Sequence, residues 1–332
     1  MSMLRYARLV LLLAILPFLG QRAVAQQEPL FSQYMLDGYL VNPAMCGAEG
    51  VTAVNLTIRQ QWAGYSQAPS TFALSAQTRI MRNSYRNRSR LIKTHIRRRR
   101  PSGRVGFGGY IFNDNNGRIH RTGLQGTYSY HINLRDVQLS FGASLIMFQF
   151  RAKVDPYDGA DLNDPLLAGK TSKFSPDATI GFLASSDTYY AGLSITSLFQ
   201  SSIQFGRKSN PETAYRLLRQ YYIVGGYRYT PRRSDFSVEP SIMMTFTERF
   251  QFSIDVNVKG YYKQDYWAGL SYRSSGAVIA MMGVKYRNYY FGYAFDYTYT
   301  DASNLSRFGS HEFMIGAKFG ESARRYRWLN RF

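Results

Sequence analysis

The chain has 332 residues with 27 tyrosines, 22 phenylalanines and 28 glycines, a formal charge of +20 and a mean hydropathy of −0.30. Past the N-terminus no apolar run reaches the roughly 18 residues that a membrane helix needs, which excludes a helical membrane protein. The single cysteine, Cys46, excludes an intramolecular disulfide and a cysteine-clustered zinc site.

Residues 1–25 read as a secretory signal peptide: Arg5 and Arg8 form the positive start, Leu9–Phe18 the apolar core, and Ala23-Val24-Ala25 the small-x-small cleavage site. The mature chain is then expected to begin near Gln26. Cys46 lies too far downstream to be a lipoprotein cysteine and reads as a small, partly buried side chain. Residues 26–50 have no clear period and carry the turn signals Pro29, Asp37-Gly38 and Asn42-Pro43. They are expected to plug or line whatever the following strands enclose, or to lie across its periplasmic mouth.

Residues 51–320 are a succession of short alternating segments. The clearest is 249–260, where Phe250, Phe252, Ile254, Val256 and Val258 alternate with Gln251, Ser253, Asp255, Asn257 and Lys259. Side chains alternate faces along a strand, so one face is apolar and the other polar or charged. Segments 137–150 and 309–319 repeat the pattern. Fourteen strands are predicted: 51–61, 70–80, 103–113, 122–132, 137–150, 176–186, 188–196, 219–230, 234–246, 249–260, 264–274, 277–287, 290–300 and 309–319. A soluble sandwich or propeller also alternates. The number and length of the segments favour an all-β, antiparallel transmembrane barrel of about 14 strands, with lipid outside and a wet lumen inside.

An even strand count puts both barrel ends on one side, the periplasmic one. The connections there are short: 133–136, 187, 231–233, 261–263 and 288–289. Connections on the other side are long (151–175 and 197–218) or of medium length (113–121 and 301–308), the asymmetry expected of an outer-membrane barrel. The exception is the insert 81–102, a long periplasmic segment with Arg82, Arg86, Arg88, Arg90, Lys93, Arg97, Arg98, Arg99 and Arg100 and no acid. It reads either as a dock for an acidic periplasmic partner or as a solvated loop. Nucleic acid is not expected as a partner of an exported chain. The basic tail 321–332, with Arg324, Arg325, Arg327 and Arg331, extends the same surface. Trp62, Tyr65, Trp267, Tyr289 and Tyr290 fall near strand ends and read as interfacial rings.

No catalytic set is visible. The histidines His95, His120, His131 and His311 form no i, i+4 pair, and there is no GxSxG elbow and no phosphate loop. GFGGY (Gly106–Tyr110) lies inside a strand, where glycine permits close packing. The acidic stretch Asp155–Asp164 offers hard oxygen ligands of the kind calcium takes but lacks EF-hand spacing, and reads rather as a solvated external loop. Asn113–Gly117 reads as turn chemistry. No cofactor or metal is expected.

Several stretches together resemble the PorP/SprF family of outer-membrane proteins of the type IX secretion system and gliding machinery of Bacteroidota. They are FSQYM (Phe31–Met35); NPAMCG (Asn42–Gly47); RQQWAGYSQAPSTF (Arg59–Phe72); Gly106–Ile132; FSPDATIGF (Phe174–Phe182) with YYAGLSI (Tyr189–Ile195); WAGLSYR (Trp267–Arg273); FGYAFDYT (Phe291–Thr298); and GSHEFMIG (Gly309–Gly316). The positions that carry the family pattern are Phe31, Gln33, Tyr34, Asn42, Pro43, Gly47, Gln61, Trp62, Gly64, Pro69, Trp267, Gly269, His311 and Glu312. Met45-Cys46 stands where the family has an aromatic and a small residue, and the basic insert and tail are unusual. The resemblance implies a non-enzymatic barrel in protein export. Its implied partners are the translocon, a periplasmic ring lipoprotein with its ring protein, and secreted proteins bearing C-terminal signal domains. Two readings compete with this one: a diffusion pore or small-solute transporter, which needs an open lumen, and an outer-membrane enzyme, which lacks a visible catalytic set.

Overall fold

A computed structural model describes residues 31–65, 68–80, 104–117, 119–134, 136–152, 172–203, 215–231, 234–249, 251–299 and 308–319. The signal peptide, the basic insert Arg82–Arg100, the acidic stretch Asp155–Asp164 and the basic tail lie outside the described residues.

Among the described residues, sixteen strands follow two 3₁₀ turns at Gly38–Leu40 and Pro43–Met45. They are β1 (Thr52–Gln60), β2 (Ser70–Ile80), β3 (Val105–Asn116), β4 (Ile119–Asn133), β5 (Gln138–Ala152), β6 (Ser172–Ser185), β7 (Tyr189–Thr196), β8 (Ser202–Ile203), β9 (Tyr215–Arg216), β10 (Gln220–Tyr227), β11 (Phe236–Thr247), β12 (Phe252–Tyr262), β13 (Tyr266–Arg273), β14 (Ala277–Tyr286), β15 (Tyr289–Thr298) and β16 (Ser310–Phe319). Strands β1–β7 and β10–β16 close into one antiparallel barrel, which gives the fourteen strands expected. Strands β8 and β9 form a separate two-stranded ribbon in the β7–β10 connection, too short for the sequence pattern to reveal.

The barrel closes where β1 meets β16, from Thr52 opposite Phe319 to Gln60 opposite His311. Both barrel ends therefore share one rim, the one expected from the sequence to face the periplasm. On β12 the alternation read from sequence holds: Val256 and Val258 face outward and are about half exposed, while Asp255, Asn257 and Lys259 are buried inside. The outer surface carries Leu145, Leu270, Phe313 and their neighbours, the apolar band that lipid requires.

Two connections differ from expectation: β6 begins at Ser172, inside the expected 151–175 connection, and the 113–121 connection is lost. The segment 113–121 is not a loop. Asn113–Asn116 continue the ladder against Ile119–Thr122, leaving a tight turn at Gly117, whose φ is +58°. Two of the polar side chains that suggested a loop, Asp114 and Asn115, are satisfied within the sheet. The Thr71 hydroxyl donates to Asp114 Oδ1 at 2.7 Å, and Asn115 Oδ1 lies 2.6 Å from His120 Nδ1. The outer wall β4–β6 is consequently taller than β7 or β10, with strands of 15, 15 and 14 residues against 8 and 8.

Candidate functional site

The inward faces of the strands are polar, yet residues 31–50 fill much of the space between them. Phe31, Tyr34, Met35, Leu36, Tyr39, Ala44, Cys46 and Ala48 are all buried. The segment enters beside the outer ends of β1, β15 and β16. It descends to the periplasmic end, where Glu49 pairs with Lys318, and then turns up into β1. The wet lumen expected from the strand pattern is thus largely occupied by the chain itself.

At the outer end the segment is held by charge. Glu312 accepts the backbone N–H of Ser32 at 2.7 Å and of Gln33 at 2.9 Å, one on each carboxylate oxygen. The Gln33 amide donates back to the Glu312 carbonyl at 3.3 Å. Arg59 bridges Glu312 at 2.9 Å and Asp296 at 2.6 Å. The Ser32 hydroxyl donates to the same Asp296 oxygen at 2.6 Å and also accepts from Arg59. All of these groups are buried. Two carboxylates against one guanidinium leave excess negative charge away from water, which is tolerable only with added hydrogen bonds. The two N–H groups and the hydroxyl of the segment supply them. Strand phase delivers the charges: Arg59 sits opposite Glu312 across the β1–β16 seam, and Ala294 on β15 is opposite Glu312, two residues from Asp296.

In the middle, Asn42 joins the segment to the wall. Its amide donates to the carbonyls of Phe182 on β6 at 2.9 Å and Leu193 on β7 at 3.2 Å. Its oxygen accepts the Ala44 N–H at 2.9 Å, capping the Pro43–Met45 turn. Asn257 donates to the Tyr34 hydroxyl at 2.6 Å, and Tyr39 bonds Thr127 at 3.0 Å. Asp37 accepts from Ser75. Glycines make room for these contacts. A Cβ at Gly181 would overlap the Asn42 side chain, one at Gly142 the Pro43 backbone, and one at Gly292 the Gln33 side chain. The wall is cut to the segment, residue for residue.

At the periplasmic end, Gly47 takes a φ of +65° against the Thr78 carbonyl and donates to Gln77 at 2.9 Å. The Cys46 carbonyl accepts from Ser129 at 2.6 Å. Cys46 is fully buried rather than partly so, because it packs over Gly108, and burial pushes its thiol up to about 12.

The other family positions are spread more widely. The Gln61 N–H closes the β1–β2 connection on the Pro69 carbonyl at 2.9 Å. The Trp62 N–H donates to Ser310 at 3.1 Å, and Gly64, at φ +87°, abuts Phe308, so this loop is fastened to the β15–β16 connection. His311 faces outward at the rim and bonds Tyr293 at 2.8 Å. Gly269 gives room to the Lys259 stem. Trp267 and Tyr290 do not belong to an interfacial belt. Both point into the lumen and are buried, because Tyr266, Ala268 and Leu270 on β13 and Tyr289 and Phe291 on β15 hold the outward phase. Arg59 and Asp296 were missed as site residues. The signal for them was a charge on the inward phase of a strand. No group of three or more metal-ligating side chains occurs among the described residues.

The PorP/SprF model, described as a type IX secretion system membrane protein, matches residues 23–317. The chain belongs to this family. The match spans the lumenal segment and the barrel into its last strand, β16, so the PorP/SprF chain is an outer-membrane barrel of the type IX secretion system. Comparison with curated proteins gives no match. Among solved structures, the outer-membrane protein Omp33 of Acinetobacter baumannii is similar with 7% identity and a TM-score of 0.44, covering 82% of this chain and 100% of that one. The CymD monoaromatic hydrocarbon channel is similar with 10% identity and a TM-score of 0.43, over 89% of this chain and 93% of that one. The KdgM porin gives 10% identity and a TM-score of 0.38, over 81% and 99%.

Proposed function

We propose that this PorP/SprF chain is a non-enzymatic, closed component of the secretion system. It links the translocon, or secreted proteins with C-terminal signal domains, to the periplasmic ring lipoprotein and its ring protein. One observation carries the choice of an interaction protein over a diffusion pore: residues 31–50 occupy the lumen and are tied at the outer end by Glu312, Arg59 and Asp296 and in the middle by Asn42. A pore keeps its lumen for water, whereas this wall is shaped around its own chain. In this reading substrates meet the outer loops, and the ring meets the periplasmic face. The basic insert 81–102 contributes to that face by attracting an acidic partner.

The test is a clean deletion with complementation, followed by quantitative proteomics of the cell surface and culture fluid. Loss of many proteins with the C-terminal secretion signal supports a general component. Loss of one large adhesin supports a dedicated one, and a place in gliding. An unchanged secretome, with any paralogue also removed, overturns the reading.

A further inference from the structure

The lumenal segment leaves a partly enclosed cavity of about 80 Å³ against the tall wall, in the outer halves of β3–β6. That is room for several waters, at about 10–15 Å³ each, or for one group of side-chain size. Tyr39 lines it from the segment, and Tyr110, Phe112 and Phe148 line it from the wall. Tyr110 and Phe112 stack at 5.3 Å. The Arg121 guanidinium lies 5.0 Å from the Phe112 ring and 5.6 Å from the Phe148 ring.

The polar marker in this cavity is Asp177. It is 2% exposed. Its Oδ1 accepts the N–H groups of Ala178 at 2.7 Å and Phe199 at 3.1 Å. The Ser197 side chain also lies within bonding reach of the carboxylate, and Oδ2 is buried with no hydrogen bond of full geometry among the described residues. A buried carboxylate oxygen left in this state is costly, and a ligand donor at that point removes the cost. Arg121 and Asp177 line the same cavity and balance each other in charge, so neither a free cation nor a free anion is favoured there. A neutral group that donates a hydrogen bond and carries a ring fits both walls. In a polypeptide, that group is an aromatic residue with its own peptide N–H.

We propose that this cavity binds one aromatic residue of a polypeptide segment presented at the outer mouth, its ring among Tyr39, Tyr110, Phe112 and Phe148 and its peptide N–H on Asp177. The proposal rests on the secretion reading for the identity of the polypeptide, and on the cavity alone for the chemistry.

The experiment uses purified full-length protein in detergent and N-acetyl-L-phenylalaninamide as the probe, with saturation-transfer NMR as the readout. Saturable binding with a dissociation constant on the order of 1 mM is expected for a ligand of this size. N-acetylglycinamide, which has no ring, and toluene, which has no amide, are each expected to bind at least tenfold more weakly. Asp177→Asn exchanges an acceptor oxygen for a donor and is expected to weaken the probe at least tenfold without affecting toluene. Ile146→Trp, at another cavity-lining position, is expected to abolish binding of the probe. Heat-modifiable migration on a gel reports whether each variant is folded. If a variant does not fold, the ranking of the three probes on the wild-type protein still decides. Absence of saturable binding, equal binding of toluene, or equal binding of N-acetylglycinamide overturns the proposal. The assay contains no secretion machinery, so a null result here strikes the cavity alone, whereas an unchanged secretome strikes the function.

Discussion

Arg59 and Glu312 face each other across the seam between the first and last barrel strands, 2.9 Å apart and buried. The same carboxylate that closes the barrel also receives the backbone of the lumenal segment. Barrel closure and lumen occupation are therefore one interaction. A chain whose lumenal segment is absent from this site leaves the seam with a carboxylate short of donors.

Removing Glu312 is the direct test of that coupling. Glu312→Ala leaves the N–H groups of Ser32 and Gln33 without their acceptor and Arg59 with Asp296 alone. Breaking a buried, hydrogen-bonded charge set by removing one partner costs about 3–5 kcal/mol. Glu312→Gln keeps an acceptor near the segment and is expected to cost less. Urea unfolding in lipid vesicles, followed by heat-modifiable migration, measures both. Wild-type stability in Glu312→Ala contradicts the coupling.

Gly181 tests the middle of the segment. The added methyl of Gly181→Ala overlaps the Asn42 side chain, whose amide is already fixed by two wall carbonyls. Overpacking of this kind costs about 1–3 kcal/mol. Gly126→Ala is the control. Its methyl meets nothing within 4 Å, on the outward face of β4, so stability is expected to hold or rise slightly. Equal effects at the two glycines, in the same unfolding assay, show that the wall is not cut to the segment.

The barrel was legible in the sequence because lipid and lumen impose period-2 alternation on every strand, as Val256, Asn257 and Val258 show. The ends of strands were less legible. Asn113–Asn116 carry turn chemistry, but they continue the strand ladder, with Asp114 and Asn115 bonded to Thr71 and His120, which no local pattern reveals. The positions Phe31–Tyr34, Asn42-Pro43 and Glu312 were picked out by resemblance, not by periodicity. Their physical connection is hidden because |i−j| between Gln33 and Glu312 is 279. Arg59 and Asp296 went unnoticed for the opposite reason. Each sits in a well-patterned strand, where a single inward charge looks like ordinary lumen lining until its partner on another strand is known.

Conductance separates occupied from open lumen. Wild-type protein in planar bilayers is expected to show no large, stable steps. Deleting Ser32–Gly47 removes the segment while keeping the strands, and stepwise conductance is expected to appear. Large steady conductance in the wild-type protein removes the structural argument against a pore.

The basic insert calls for a charge test. Changing Arg97, Arg98, Arg99 and Arg100 to glutamine is expected to reduce recovery of periplasmic ring proteins in affinity capture, most visibly at low salt, where the about 10 Å screening length of 0.1 M salt is exceeded. The barrel itself is expected to migrate as wild type. Unchanged recovery at low salt means the insert is a solvated loop.

Cys46 is a built-in reporter for all of these states. It is the only cysteine in the chain, it is fully buried, and burial holds its thiol up to about 12. Thiolate is the reactive species, and burial holds the thiol protonated, so reaction is slow even before access is considered. A maleimide is therefore expected to leave native protein unlabelled for hours and to label urea-unfolded protein within minutes. The sign with pH follows from the raised value. An ordinary cysteine gains reactivity as pH passes about 8.5, whereas burial moves that gain for Cys46 to higher pH while the segment stays in place. Glu312→Ala and Gly181→Ala are expected to speed labelling of otherwise folded barrels, because each loosens the segment from one end or the middle. Rapid labelling of the wild-type protein at pH 8, with the barrel still migrating as folded, means that the segment leaves the lumen readily, and the closed-component reading then fails with it.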